Sequence, residues 1–247
     1  MKRVFSFIMF LAVATAAVAA QPKLVVSHVE PLSWWVGMTT PLQLMINGEG
    51  VSNYDVEILP AGQGVDGKQI HKADSPNYLF VDVAVAQDAT PMEYTLRFKE
   101  GKRSYDVPYV IASRKEGSRE RASFTNADFV YLIMPDRFAN GNPDNDVLDG
   151  YQVNREGNGR HGGDIQGIVN HLDYLDNLGV TAVWLNPVQY NKGGQSHGYS
   201  ISDFYLIDPR LGSNEEYCNM IDKAHEKGIK VVMDMIFNHC GSAHWWI

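Results

Sequence analysis

Three polar clusters in this sequence combine residue types that bind small polar molecules: Asp136-Arg137-Phe138, Asn186-Pro187 with the glycine-rich stretch that runs on to Tyr199, and Asp234 to His239. Taken singly, Tyr199 in a glycine-rich loop reads equally as a surface or packing residue, and His239 as a satisfied polar side chain. A further segment, Asn140-Gly141-Asn142-Pro143-Asp144-Asn145-Asp146, is dense in side-chain oxygen. Calcium takes six to eight such oxygens. The segment is no EF-hand, because Tyr151 stands at the twelfth position from Asn140, where a bidentate Glu is required. Asn, Asp, Gly and Pro are also the common turn formers, so spacing alone supports a cation site and a solvated turn equally.

Each of the three clusters directly follows a short apolar run that reads as a strand. Phe129 to Pro135 is continuously apolar, as in a strand buried on both faces, and Ala182 to Leu185 and Ile229 to Met233 repeat the pattern. Between the first two, Asp164 caps a helix whose apolar residues Ile165, Ile168, Val169, Leu172, Leu175 and Leu178 recur at helical spacing up to Gly179. Between the second and third, Ser213 with Glu216 makes a capping box, and Tyr217, Met220, Ile221 and Ala224 line one face up to Gly228. Strand, helix, strand, helix, strand predicts right-handed βαβ units and a parallel sheet. Polar clusters at three consecutive strand ends then point to one pocket, as in a parallel barrel or a doubly wound sheet. No G-x-G-x-x-G follows any of the strands, which disfavours a dinucleotide fold.

Upstream the period is two. Leu24 to Val29 and Leu42 to Ile46 are short extended runs, and Leu79 to Val85 and Met92 to Phe98 alternate as half-buried strands do, with Asn47-Gly48, Asp66-Gly67 and Glu100-Gly101-Lys102 placed to turn between the runs. About seven short strands predict a sandwich for residues 21–112. Trp34-Trp35 reads there as partly core or as an exposed aromatic platform. The polar stretch Ser113 to Arg121 opens a linker, 113–128, ahead of the α/β part, 129–247.

The 247 residues hold 21 Lys and Arg against 29 Asp and Glu, a formal net charge of −8, which argues against nucleic acid and anionic membrane as partners. Cys218 and Cys240 make no disulfide framework and read as ordinary buried thiols. Met1-Lys2-Arg3, an apolar run from Val4 to Val13 and an Ala17-Val18-Ala19 site read as a cleaved signal peptide over residues 1–20, too short to span a membrane. The expected product is exported, periplasmic or secreted.

Asp234-Met235-Ile236-Phe237-Asn238-His239 resembles the first signature of the α-amylase family of glycoside hydrolases. His197 to Tyr205 with Ile207-Asp208-Pro209-Arg210-Leu211-Gly212 resembles the loop between the second and third barrel strands of that family. Asp136 to Gly141 with Gly162-Gly163-Asp164 resembles its neopullulanase and cyclomaltodextrinase branch. The resemblance implies an immunoglobulin-like β-sandwich followed by the first part of a TIM (β/α)8 barrel, reaching the third strand. It implies retaining hydrolysis of α-glucans such as starch, pullulan, cyclodextrins or maltooligosaccharides. The nucleophile and acid of the family follow the fourth and fifth strands, so it assigns no catalytic residue to this chain, which is expected to be inactive alone. It implies that Tyr199 stacks under the attacked glucose, that His239 hydrogen-bonds a primary hydroxyl, and that Asp234 and Asn238 support the site. It tips the oxygen-rich loop towards structural calcium, held by Asn140, Asn142, Asn145, Asp146, the carbonyl of Gly162 and the carboxylate of Asp164. A non-catalytic glucan-binding protein with a remnant barrel is the alternative, and a homodimer of the full-length protein stays open.

Overall fold

The computed structural model describes residues 26–118, 120–121, 123–148 and 150–247, so the segment expected to be a signal peptide, 1–20, lies outside the described residues. The chain divides after Arg121 into two compact units. In the first, β1 (Val26–Glu30), β3 (Leu42–Gly48), β5 (Val65–Lys72) and β6 (Tyr78–Val85) form one sheet in the order β1-β3-β6-β5. The other sheet has the order β2-β8-β7-β4, from β2 (Ser33–Trp35), β4 (Asp55–Leu59), β7 (Met92–Glu100) and β8 (Arg103–Ala112). Alternation does what the period of two predicts: Leu42, Leu44 and Ile46 with Leu79, Val81 and Val83 of one sheet meet Tyr94, Leu96, Phe98 and Ile111 of the other in one buried cluster.

Eight strands form where about seven are read from the sequence, and two turn assignments fail. Asn47 and Gly48 are the last residues of β3, because Asn77 extends the pairing: its carbonyl accepts from Gly48 N at 3.1 Å and its side chain from Gly50 N at 3.0 Å. The chain reverses at Gly50 instead (φ 67°). Asp66 and Gly67 lie inside β5, where the register shifts between Gly67 and Gln69, a bulge rather than a turn. Glu100-Gly101-Lys102 does turn the β7–β8 hairpin, with Gly101 at φ 57°. Trp34 packs partly buried against the core, while Trp35, stacked on it at 5.7 Å between centroids, is exposed.

In the second unit β9 (Val130–Ile133), β12 (Ala182–Leu185) and β15 (Lys230–Met233) pair in parallel in the order β15-β12-β9. Between them lie α1 (Pro135–Phe138), β10 (Val147–Leu148), β11 (Tyr151–Gln152), α2 (Ile165–Asn170), α3 (Leu172–Asn177), β13 (Gln189–Tyr190), β14 (Asp203–Ile207) and α4 (Asn214–Glu226). One face of the parallel sheet (Tyr131, Ile133, Val183, Leu185, Val231 and Met233) packs on Ile165, Ile168, Leu172, Leu175, Tyr217, Met220 and Ala224 of the helices. Ser213 Oγ accepts from Glu216 N at 3.1 Å and starts α4 as the capping signal predicts.

The reading of strands buried on both faces is corrected. On the face turned from the helices, Val130, Leu132 and Trp184 are 42%, 60% and 42% exposed. Parallel pairing aligns them with no second layer over them among the described residues. The single helix from 165 to 178 is also corrected. It breaks at His171 (φ −115°, ψ 13°), whose Nδ1 lies 2.8 Å from the Gly167 carbonyl, and Leu178 ends up 45% exposed. Cys218 is exposed rather than buried, since α4 turns Tyr217, Met220 and Ala224 inward. Neither cysteine is paired. No helix among the described residues is long and apolar enough to cross a membrane.

Two outcomes follow. Residues 26–112 expressed alone unfold cooperatively and bind little hydrophobic dye, whereas 123–247 alone bind it strongly through the open sheet face; equal dye fluorescence from both refutes this. At the opposite strand ends Asp128 accepts from Lys230 Nζ at 2.8 and 2.9 Å, from Thr181 Oγ1 at 3.0 Å and from Thr125 N at 2.7 Å. The Lys230 bond above all pulls its carboxyl down to about 2. A depressed folded-state value means stability that is whole above the ordinary 3.8 and drains as pH falls from there towards 2. Asp128→Asn flattens the pH dependence of urea midpoints in that window; an unchanged slope contradicts the clamp.

Candidate sugar site and cation loop

The three strand ends do converge on polar residues. After β9 the chain makes the one-turn α1, and Asp136, 1% exposed, accepts from His161 N at 3.0 Å and from Gly162 N at 3.3 Å. Arg160 and Arg137 flank the same carboxylate at 3.6 and 3.5 Å. Asp136 therefore anchors the loop that carries Gly162 and Asp164. After β12, Asn186 donates to the His197 carbonyl at 3.4 Å, and Gly198 folds back on Pro187 at φ 82°. A Cβ on Gly198 would lie 2.1 Å from the Pro187 carbonyl oxygen, so the residue ahead of Tyr199 must be glycine.

Tyr199 is held at both ends. Its N–H donates to His197 Nδ1 at 2.9 Å, which places the proton of a neutral His197 on Nε2. Its carbonyl meets His239 Nε2 at 3.0 Å, so that nitrogen is the donor. Its hydroxyl donates to Asp234 Oδ2 at 2.9 Å, and the same oxygen accepts from Trp184 Nε1 at 3.3 Å. Burial, and then the bond to Asp234, raise the Tyr199 phenol above its ordinary value of 10, so it stays a neutral donor near neutrality. Asn238 Nδ2 lies 3.3 Å from His239 Nδ1 and so supports the imidazole rather than the pocket floor. Tyr199, Asp234 and His239 are thus one cluster, with Asn238 behind it. Trp184 was legible only as an apolar strand residue.

The oxygen-rich loop folds back on itself. Asn140 Nδ2 donates to both oxygens of Asp146, at 2.8 and 2.9 Å. Gly162 abuts them, since a Cβ there would lie 2.6 Å from Asp146 Oδ1 and 3.0 Å from Asn140 Nδ2. Asn142 Oδ1 accepts from Asp144 N at 3.2 Å. Asn145 is 6% exposed, and its Oδ1 is buried with no hydrogen-bond partner. Asp164, fully buried, is engaged elsewhere: it accepts from Gly141 N and Asn142 N at 3.1 and 2.8 Å and caps α2 through Gly167 N at 2.6 Å. Asn140, Asp146 and Gly162 come together as expected, while Asp164 shapes the loop. No cluster of three His, Cys, Asp or Glu able to hold a metal occurs among the described residues, so a cation here depends on amide and carbonyl oxygen.

A buried ionic network beneath both regions escaped the reading of the sequence. Arg210 grips Asp208 through Nε at 2.7 Å and Nη2 at 2.5 Å, and also donates to the Asn191 carbonyl. Its guanidinium lies over the Tyr151 ring at 4.7 Å. The Arg210 carbonyl accepts from Arg160 Nη2 at 3.0 Å, which joins this pair to Asp136. The i, i+2 spacing of Asp208 and Arg210 was its only available signal.

A sandwich ahead of the first strands of a (β/α)8 barrel, with tyrosine, carboxylate and imidazole at the strand ends, defines the class of this protein. Residues 132–247 match the alpha amylase catalytic domain and residues 28–115 the cyclomaltodextrinase N-terminal domain, so over these stretches the chain is similar to the α-amylase family. Over 114 residues it is 45% identical to the beta/alpha-amylase of Paenibacillus polymyxa, covering 45% of this chain and 10% of that protein. Neopullulanase 2 of Thermoactinomyces vulgaris is 39% identical over 116 residues, covering 45% and 20%. A cyclomaltodextrinase of Geobacillus thermopakistaniensis is 41% identical over 114 residues, covering 45% and 19%. The chain therefore spans about a fifth or less of the length of these relatives.

Proposed function

We propose that the protein is an exported α-glucan hydrolase of the neopullulanase and cyclomaltodextrinase kind, acting by a retaining mechanism, and that these residues supply the sugar-positioning half of its site. The observation that carries this reading is the fixed Tyr199 ring, held by Asp234 at its hydroxyl and His239 at its carbonyl. A pre-set aromatic plane orients a glucose by its C–H face at little entropic cost, while His239, whose Nε2 proton goes to the Tyr199 carbonyl, steadies the loop that carries the ring. Asp234 keeps the phenol in place and takes no part in bond cleavage. The blocks of resemblance contain no counterpart of the nucleophile or of the acid.

The test is calorimetry of the chain with maltotriose and β-cyclodextrin. Saturable binding is expected, and Tyr199→Ala weakens it at least about ten-fold, the worth of an aromatic stacking contact with its anchoring hydrogen bond. Equal affinity in the variant overturns the reading.

The loop from Asn140 to Asp146 fits calcium. The donors are hard oxygens, Asn145 Oδ1 is buried without a partner, and Asp146 abuts Gly162. Asn140, Asn145, Asp146 and the Gly162 carbonyl would hold the ion, with the Asn140 amide turned to present its oxygen. A bound calcium supplies structural rigidity to the loop; Asp164 contributes the fold around it.

A further inference from the structure

We infer that Trp184 is a positioning residue for sugar recognition: its indole N–H and the Tyr199 hydroxyl share one oxygen of Asp234, and this junction sets the tilt of the Tyr199 ring before a glucan arrives. The inference rests on the glucan-binding reading above and assigns to Asp234 the task of anchoring Tyr199.

The junction draws on three separate pieces of chain. Trp184 belongs to β12, Asp234 directly follows β15, and Tyr199 lies in the glycine-rich loop between β13 and β14. Parallel pairing sets Trp184 opposite Val232, and Asp234, two residues further on, keeps the same side of the pleat, so indole and carboxylate share a face by register. The one polar side-chain atom of Trp184 is spent on Asp234. With the Tyr199 amide and carbonyl already fixed by His197 and His239, Asp234 closes the last freedom of the ring, and Trp184 removes that freedom from Asp234 in turn.

The experiment uses the whole chain. Among the indole N–H resonances of its five tryptophans, the one lost in Trp184→Phe identifies Trp184. That resonance moves in Asp234→Asn, which removes the charged oxygen that the indole N–H faces. In maltotriose calorimetry Trp184→Phe, which keeps an aromatic ring and drops only the N–H, weakens binding about five- to ten-fold. Tyr199→Phe does likewise, and the double variant is no weaker than Tyr199→Phe alone, since both act through one oxygen. Wild-type affinity in Trp184→Phe overturns the proposal, as do additive losses or an indole resonance that stays put in Asp234→Asn. Absence of any maltotriose binding by the unaltered chain counts against the glucan reading, while the indole resonance in Asp234→Asn still decides the clamp.

Discussion

Purified chain incubated with β-cyclodextrin, pullulan or starch releases no reducing sugar above background. Retaining hydrolysis requires two carboxyl groups about 5–5.5 Å apart, one to attack the anomeric carbon and one to protonate the leaving oxygen. At the assembled strand ends the carboxylate beside Tyr199 is Asp234, and its Oδ2 already accepts from the Tyr199 hydroxyl and the Trp184 indole. These two bonds give that oxygen the work of holding Tyr199. By the resemblance, the nucleophile and acid of the family follow its fourth and fifth barrel strands, and β15 is the third parallel strand among the described residues. Without both groups the remaining effect is substrate positioning, and such losses run to the order of a million-fold in covalent mechanisms. Reducing-sugar assays with Asp234→Asn as control decide the matter. Turnover that co-purifies with the chain and vanishes in Asp234→Asn would make Asp234 a catalytic carboxylate and overturn the assignment.

What the sequence disclosed depends on whether a signal is local. The caps at Asp164 and Ser213 were legible because a capping oxygen and the N–H it takes lie three residues apart. Period-two alternation marked Leu79 to Val83 and Tyr94 to Phe98 as core strands, since each reports its own burial. Asn47-Gly48 misled because the partner that extends β3, Asn77, lies thirty residues away in sequence. The parallel strands misled in another way. An apolar run declares that both faces can be buried, and the exposure of Leu132 and Trp184 is set by which elements stand next to them. In the site, Tyr199 and His239 were found from their blocks, but the Trp184–Asp234 contact crosses 50 positions and depends on sheet register. The buried Asp136–Arg160–Arg210–Asp208 network escaped for the same reason, because nothing local to Arg160 foretells its burial.

Asp164→Ala destabilises the second unit by about 3–5 kcal/mol, and calcium does not restore it. The carboxylate is fully buried and accepts from three backbone N–H groups, two in the loop and one in the first turn of α2. Truncation strands those donors where the chain is too tight for replacements: a Cβ on Gly141 would lie 2.3 Å from Gly167 N, and one on Gly167 1.9 Å from the Ala139 carbonyl oxygen. Each stranded donor costs about 1–3 kcal/mol, and the lost cap belongs to the same range. Asp146 has the opposite profile. Its oxygens are held by the Asn140 amide, so Asp146→Ala in chelator costs roughly 0.5–1.5 kcal/mol, one hydrogen bond of ordinary worth. With calcium at about a hundred times its dissociation constant the unaltered loop gains about 2.7 kcal/mol, and Asp146→Ala forfeits that gain. Thermal melts of the chain and both variants, in chelator and in millimolar calcium, separate the roles. If Asp164→Ala melts like the unaltered chain in chelator, the carboxylate is not the keystone of the loop. If calcium raises the Asp146→Ala and unaltered melting temperatures equally, or neither, then Asn140 to Asp146 is a turn built from Asn and Asp with no ion to hold.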